Sequence, residues 1–376
     1  MLSFSFAIAF LLHLLLFSTA PMVSVIMTDM SLSYAGFGFL FSAAMISLVL
    51  FRIPWGLIGD RIGYLNVFRI TLPISAAFAL LRAVSPTYLT FVLSQFFLGA
   101  ALAPVLPCLP LIVKEWSQEK LGLSTGVYVS GFAVGNATAL ALTPFMLQAM
   151  GWRDILLTYG IVALVMSGFW WVFAGSSVKK VSGYRLESFA GVLRIRYVWV
   201  LLFFMIASMG SYDTLATWMP KVLEMKALDK ALASLLPLGF FVSGPLIGSA
   251  LDKFENRKLI IALLGVVAAA SIVGINYAPF SLLLVCVFLS GFATIGVLTI
   301  SLTTPLKDGH LSGSTGGVVG LISSLGNIGP LIMPVLFGFL IDLTGTFHLS
   351  ILSVALLAGI TFIIGSRSSY QEKARD

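Results

Sequence analysis

The sequence predicts an all-α integral membrane protein with twelve transmembrane helices in two six-helix bundles. Three observations lead there. Of 376 residues, 59% are hydrophobic and only 10% charged, whereas a soluble domain carries about 25% charged residues. Mean hydropathy is +1.04, so the bilayer must act as the solvent. Apolar runs of about 20 residues, the length that crosses a membrane, recur along the whole chain. Features of the first half also return in the second at a nearly constant spacing.

The first span is placed near residues 4–27. Its opening, MLSFSFAIAFLLHLLLFSTA, is as greasy as a signal peptide but lacks a positive leader, and the apolar run continues through PMVSVIM. Further spans are placed near 34–57, 66–84, 88–112, 122–148 and 153–174. The second set falls near 197–219, 232–251, 258–277, 280–304, 314–341 and 346–365. The breaks TDMSLS, VSPTY, GWRD and NYAPF are short and built from turn residues, which leaves no room for a folded water-soluble domain. The longest hydrophilic connection is GSSVKKVSGYRLESFAGVLRIRY. It divides the chain into an N-terminal bundle (1–174), a central loop (175–196) and a C-terminal bundle (197–376).

Charge sets the expected orientation. With the N-terminus inside, 16 Lys and Arg residues are cytoplasmic and 5 are outside, Arg82 among the latter, with Arg52 left within a span. Both termini are therefore expected in the cytoplasm, with the chain in the cytoplasmic membrane. The net charge of +7 follows from the same bias, and no basic cluster points to nucleic acid. Cys108 and Cys286 lie in separate apolar runs and read as core residues rather than a disulfide or metal site. There is no Walker A sequence, no metal-ligand cluster and no Ser-His-Asp arrangement. These absences predict neither an enzyme nor a cofactor requirement, and exclude ATP as the energy source.

The repeat is visible in two unrelated features. GLIGDRIG after span two corresponds to GSALDKFENRK after span eight, Asp60 to Asp252, an offset of 192. STGVYVSGFAVGN in span five corresponds to STGGVVGLISSLGN in span eleven, Asn136 to Asn327, an offset of 191. Such duplication is common in transporters that hold substrate near the midplane between halves.

On these residues the chain resembles the major facilitator superfamily of secondary transporters. GLIGDRIG looks like the family signature after span two, and GSALDKFENRK like its degenerate copy. GWRD and PVLFGFLIDLTGTF also resemble common family segments. The resemblance implies two bundles rocking about a site lined by spans 1, 2, 4, 5, 7, 8, 10 and 11. It also implies a gating role for Gly56, Asp60, Arg61 and Gly63, and for Gly248, Asp252 and Arg257. Asp60 can face a neighbouring helix N-terminus, where unpaired N–H groups and the helix dipole favour an anion. One departure is Tyr64, where the family usually has a basic residue; Arg69 is the candidate substitute. The Gly-Pro motif that marks drug–proton exchangers in span five is missing.

Arg52 is the sharpest candidate for substrate contact. A central charge costs roughly 2.5–3.5 kcal/mol on insertion scales, so it is expected to face a cavity or a partner. Its planar fork of donors suits an anion. Arg52 with Pro54, Gly56, Asp60, Arg61 and Gly63 is similar to the nitrate/nitrite porter branch, where an arginine eight residues before the aspartate contacts the anion; the chain also partly resembles cyanate-type anion porters. The plainer reading is that Arg52 snorkels, or pairs with Asp60 or a carbonyl. The second arginine of that branch is Gly244 here, which widens the expected substrate to a small inorganic or carboxylate anion.

Asp213 reads as a proton relay or counter-charge for Arg52, or as a cap on a helix break near Gly210. His13 reads as a second titrating group or an interhelical hydrogen bonder. Gln95 stands where many family members carry an arginine; it, Asn136 and Asn327 are candidate substrate contacts or packing residues. Tyr128, Trp218 and Tyr212 are candidate walls of the site, or lipid-belt and core residues. The resulting expectation is a monomeric secondary transporter of a small anion, coupled to protons or to a counter-anion. Two rivals stay open: transport of a neutral or cationic compound centred on Asp213, and a non-transporting membrane sensor.

Overall fold

The computed structural model describes residues 2–116, 121–175, 196–253, 257–307 and 322–367. They form twelve helices, labelled here by crossing: α1 (Leu2–Met30), α2 (Tyr34–Ile62), α3 (Tyr64–Ala83), α4 (Tyr88–Trp116), α5 (Leu121–Met146) and α6 (Trp152–Phe173). The second six are α7 (Arg196–Met225), α8 (Leu235–Lys253), α9 (Arg257–Tyr277), α10 (Phe280–Lys307), α11 (Ile322–Thr344) and α12 (His348–Arg367). Eleven have described stretches long and apolar enough to cross a membrane, and the described apolar part of α12 is His348–Thr361. The call of a central loop at 175–196 falls almost wholly outside the described residues. With an even number of crossings, α1 begins and α12 ends at one end, termed proximal; the α1–α2 turn lies at the distal end.

Helix packing repeats between the two sets of six. In the first, α1 packs on α5, α2 on α4, α3 on α4 and α6. In the second, α7 packs on α11, α8 on α10, α9 on α10 and α12. Two of the pairs that cross between the sets, α2 with α11 and α5 with α8, are themselves related by this correspondence. The repeat extends to single residues. A Cβ on Gly99 of α4 would land on the Ala44 carbonyl of α2, and one on Gly291 of α10 would land on the Leu236 carbonyl of α8. Both members of the pair are displaced by 192 positions, the offset already seen between Asp60 and Asp252. In lipid no hydrophobic force drives helices together, so close backbone approach at small residues does this work.

Among the described residues, three helices are interrupted partway along their length. α1 breaks at Ser18–Thr19 before a 3₁₀ turn over Ala20–Met22 that contains Pro21, α4 at Ala103–Pro104, and α11 at Gly326–Asn327. Such breaks release carbonyls that must find donors inside the protein. At α1, Arg82 of α3 supplies one, donating from Nη1 to the Leu15 carbonyl (2.8 Å) and to Gln95 Oε1 on α4 (3.1 Å). Arg82 lies in the distal last turn of α3, and its side chain is wholly buried, because the interrupted helix offers an acceptor that a hydropathy reading cannot see.

Candidate functional site

Arg52 lies well inside α2 and is buried. Its Nη1 donates to the Ser323 carbonyl (2.7 Å) and its Nη2 to Asn327 Oδ1 (3.4 Å), both on α11. The break at Gly326–Asn327 explains this geometry, because the Ser323 carbonyl is no longer committed to a regular helical bond. Asn327, the N-cap of the helix that resumes at Ile328, also donates its Nδ2 to that carbonyl (2.7 Å). The buried charge is therefore bonded across the two halves, while its Nε has no partner among the described residues. Asp213 of α7, also buried, is its electrostatic partner. No direct salt bridge joins the two, so the carboxylate balances the guanidinium across a gap.

Around this pair the two sets of helices meet through polar and aromatic groups. Asn136 of α5 donates Nδ2 to the Tyr212 hydroxyl of α7 (3.0 Å), and its Oδ1 has no described partner. His13 of α1 is enclosed by the rings of Phe17, Phe132 and Phe240 at 5.4, 4.9 and 6.5 Å between centroids, and Phe240 belongs to α8. Phe240 in turn meets Tyr212 edge-on (5.5 Å), and Tyr128 meets Phe132 in the same way. Gly244 of α8 has no atom within 4 Å of where a Cβ would stand. Amide and hydroxyl donors, one guanidinium and one carboxylate are thus gathered where the two sets of helices meet.

Arg52, Asn327, Asp213, Asn136 and His13 are accordingly drawn to the junction between the halves. Gln95 is not; it accepts from Arg82 behind the α1 break and is fully buried. Trp218 belongs to the α7–α11 contact further towards the distal end, donating to the Pro334 carbonyl (3.0 Å) and stacking on Phe337 (5.5 Å). Tyr212 and Ser323 contribute more than the sequence suggested. Ser323 acts through its carbonyl, which no residue-type argument detects, though the Gly326–Asn327 pair beside it was a legible sign of interruption.

At the proximal end, α2 stops at Gly63, whose φ of 88° is a conformation that favours glycine. Asp60 accepts a hydrogen bond from the Tyr64 hydroxyl across this turn. The aromatic residue that departs from the family pattern is thus the aspartate's own partner. Arg69 does not replace the missing basic residue: it donates to Asn66 Oδ1 (3.0 Å) and to the Ala174 carbonyl at the end of α6 (2.5 Å). A Cβ on Gly56 would stand 3.7 Å from the Pro107 Cβ of α4, an ordinary contact, and Arg61 is exposed. Gly248, Asp252 and Arg257 lie on the facing ends of α8 and α9, and their surroundings fall outside the described residues.

The family model for the Major Facilitator Superfamily matches residues 5–304 and 227–374. The chain belongs to the major facilitator superfamily. As such it is a secondary transporter rather than an enzyme. Among curated relatives, the nitrite extrusion protein of Bacillus subtilis is 22% identical over 369 residues, covering 95% of this chain and 91% of the relative. The probable nitrate transporter NarT of Staphylococcus haemolyticus is 24% identical over 361 residues, covering 92% and 90%. Two solved superfamily structures share the fold. The nucleoside transporter NupG superposes with a TM-score of 0.79 at 13% identity, covering 98% of this chain and 99% of that one. A bacterial homolog of the human lysosomal transporter Spinster, inward-facing and unoccupied, gives 0.77 at 14%, covering 97% and 96%.

Proposed function

We propose that this superfamily member carries a small monoanion, inorganic or carboxylate, across the cytoplasmic membrane by alternating access, with both termini in the cytoplasm. The single observation that carries the reading is Arg52, a buried guanidinium whose hydrogen bonds all cross to the other half and whose Nε is unpaired. An anion that takes the place of both the Ser323 carbonyl and Asn327 Oδ1 at this fork gains a charge-assisted, bidentate contact. It also severs a bond between the halves, which ties binding to their movement. Nitrite and nitrate relatives at 22–24% identity support an anion as cargo. Asn136, Asn327 and Tyr212 supply further polar contacts, Tyr128 and the phenylalanines the wall.

A thermal-shift series on the purified protein tests this directly. Nitrate, nitrite and formate are expected to raise the melting temperature in a saturable way, and sulfate, a dianion, to do so less. Stabilisation by none of the monoanions sinks the proposal, and stabilisation by organic cations instead supports the rival centred on Asp213.

Coupling follows from the charge count at the site. Arg52 with ionised Asp213 is neutral, so an arriving monoanion leaves one buried negative charge uncompensated unless a proton joins it on Asp213. Nitrate uptake into vesicles is expected to acidify a vesicle-trapped pH dye in the wild type. Asp213→Asn is expected to lose the accumulation driven by a pH gradient while nitrate-for-nitrate exchange persists. Wild-type uptake without proton movement assigns the cycle to anion exchange instead. His13, whose Nδ1 has no partner among the described residues, is the second candidate for this coupling.

A further inference from the structure

The distal end of the molecule is held by contacts that the anion site does not use. Asp342, in the last turn of α11, accepts hydrogen bonds from the backbone N–H groups of Tyr34 (2.9 Å) and Ala35 (2.8 Å) at the start of α2. These are two of the four N–H groups that a helix cannot satisfy internally, and the positive end of the helix dipole adds to the attraction. Ser33 accepts from Gly36 in the same turn (3.0 Å), so this N-terminus is capped partly by its own chain and partly by the opposite half. The two helices then run antiparallel in close contact. A Cβ on Gly338 would strike the Tyr34 carbonyl, one on Gly38 the Pro334 carbonyl, and the Ser42 hydroxyl donates to the Leu331 carbonyl (2.7 Å).

A second carboxylate does the same for α1. Glu224, at the distal end of α7, accepts from the Ser24 hydroxyl of α1. Lys221 bridges the pair, donating to Ser24 Oγ (2.8 Å) and lying 3.4 Å from Glu224, and Lys230 approaches Glu224 from the other side (3.5 Å). The Ser24 segment follows the α1 break, so it is joined to the rest of α1 by a non-helical hinge at Ser18–Thr19. Both carboxylates belong to the second six helices, and both grip the distal ends of helices from the first six.

We propose that Asp342 and Glu224 form a two-point carboxylate lock that keeps the distal end of the transporter shut and must release for the site to open on that side. Each is built from exposed or half-buried polar groups, so water can replace its hydrogen bonds when it is broken. The lock is independent of which solute is carried, since it lies away from Arg52.

Distance measurements between spin labels at Val84 and Tyr277 test it, with Cys108 and Cys286 replaced by alanine. Both label sites are exposed at the distal end, one on each set of six helices. Asp342→Asn keeps the shape of the side chain but removes its charge, and Glu224→Gln does likewise. Each is expected to increase the long-distance, distal-open population about 3–10-fold, and the double variant to exceed either. Asp342→Glu, which keeps the charge, is expected to lie near the wild type. An unchanged distance distribution in the double variant overturns the proposal. A measurement on the unaltered protein is independent of any variant: the amides of Tyr34 and Ala35 are expected to be protected from hydrogen exchange. Exchange of both at the rate of an unstructured chain equally overturns it.

Discussion

Replacing Arg52 with glutamine is expected to remove anion-induced stabilisation, with nitrate affinity falling on the order of 100-fold. Loss of a charge-assisted contact inside a low-dielectric site has this scale. Arg52→Lys keeps the positive charge but not the fork, and the expected loss is about tenfold, since one donor replaces two parallel ones. The unliganded protein must be followed in parallel, because Arg52→Gln also removes the bond to the Ser323 carbonyl and leaves Asp213 without its electrostatic partner. Pairing the change with Asp213→Asn separates the two effects. The double variant is expected to recover stability, as no lone charge is left buried, and still to bind no nitrate. A melting-temperature rise with nitrate in Arg52→Gln equal to that of wild type removes Arg52 from the site.

The second large effect concerns the repeat. Gly99→Val and Gly291→Val are expected to destabilise the protein by about 2–3 kcal/mol each. At both positions the added Cβ falls on a backbone carbonyl of a neighbouring helix, Ala44 in one half and Leu236 in the other, and backbone cannot step aside as a flexible side chain can. Gly168 is the control, because a Cβ there meets nothing within 4 Å. Gly168→Ala is expected to be neutral or to stabilise slightly, as helix interiors favour alanine. Melting in detergent reads all three. Equal melting temperatures for Gly99→Val and wild type contradict the close α2–α4 contact.

Much of this architecture is legible one residue at a time. Apolar runs near the predicted positions become helices, since a bilayer admits only chains that satisfy their own backbone. The longer helices, such as α2 to Ile62 and α7 to Met225, run past those runs because polar ends continue the helix into the interface. The offset between Asp60 and Asp252 anticipates matched packing at Gly99 and Gly291, because a duplicated sequence repeats its small residues along with its charges. Arg52 was also visible, since a guanidinium eight residues before the signature aspartate, within an apolar run, has few ordinary uses.

Other features depended on contacts that sequence position does not encode. Arg82 entered only the count of charges outside the membrane; its buried bond to an α1 carbonyl freed by the break at Ser18–Thr19 was not legible. Gln95 was a candidate for the central site until that same arginine claimed its side-chain oxygen. Asp342 lay in the PVLFGFLIDLTGTF segment with no role of its own, and its meaning rests on Tyr34 and Ala35, some 300 residues away. Tyr64 departed from the family pattern, and only the turn at Gly63 brings its hydroxyl to Asp60.

By itself the sequence determined the solvent, the crossings, the repeat and the family, because each depends on hydrophobicity or spacing along one chain. The tertiary structure decided which polar groups meet: Arg52 with the Ser323 carbonyl, Asn136 with Tyr212, Asp342 with the start of α2. Those meetings depend on where helices break and which carbonyls and N–H groups the breaks release. Every residue carries the same backbone groups, so only the folded arrangement shows which of them are left to be bonded.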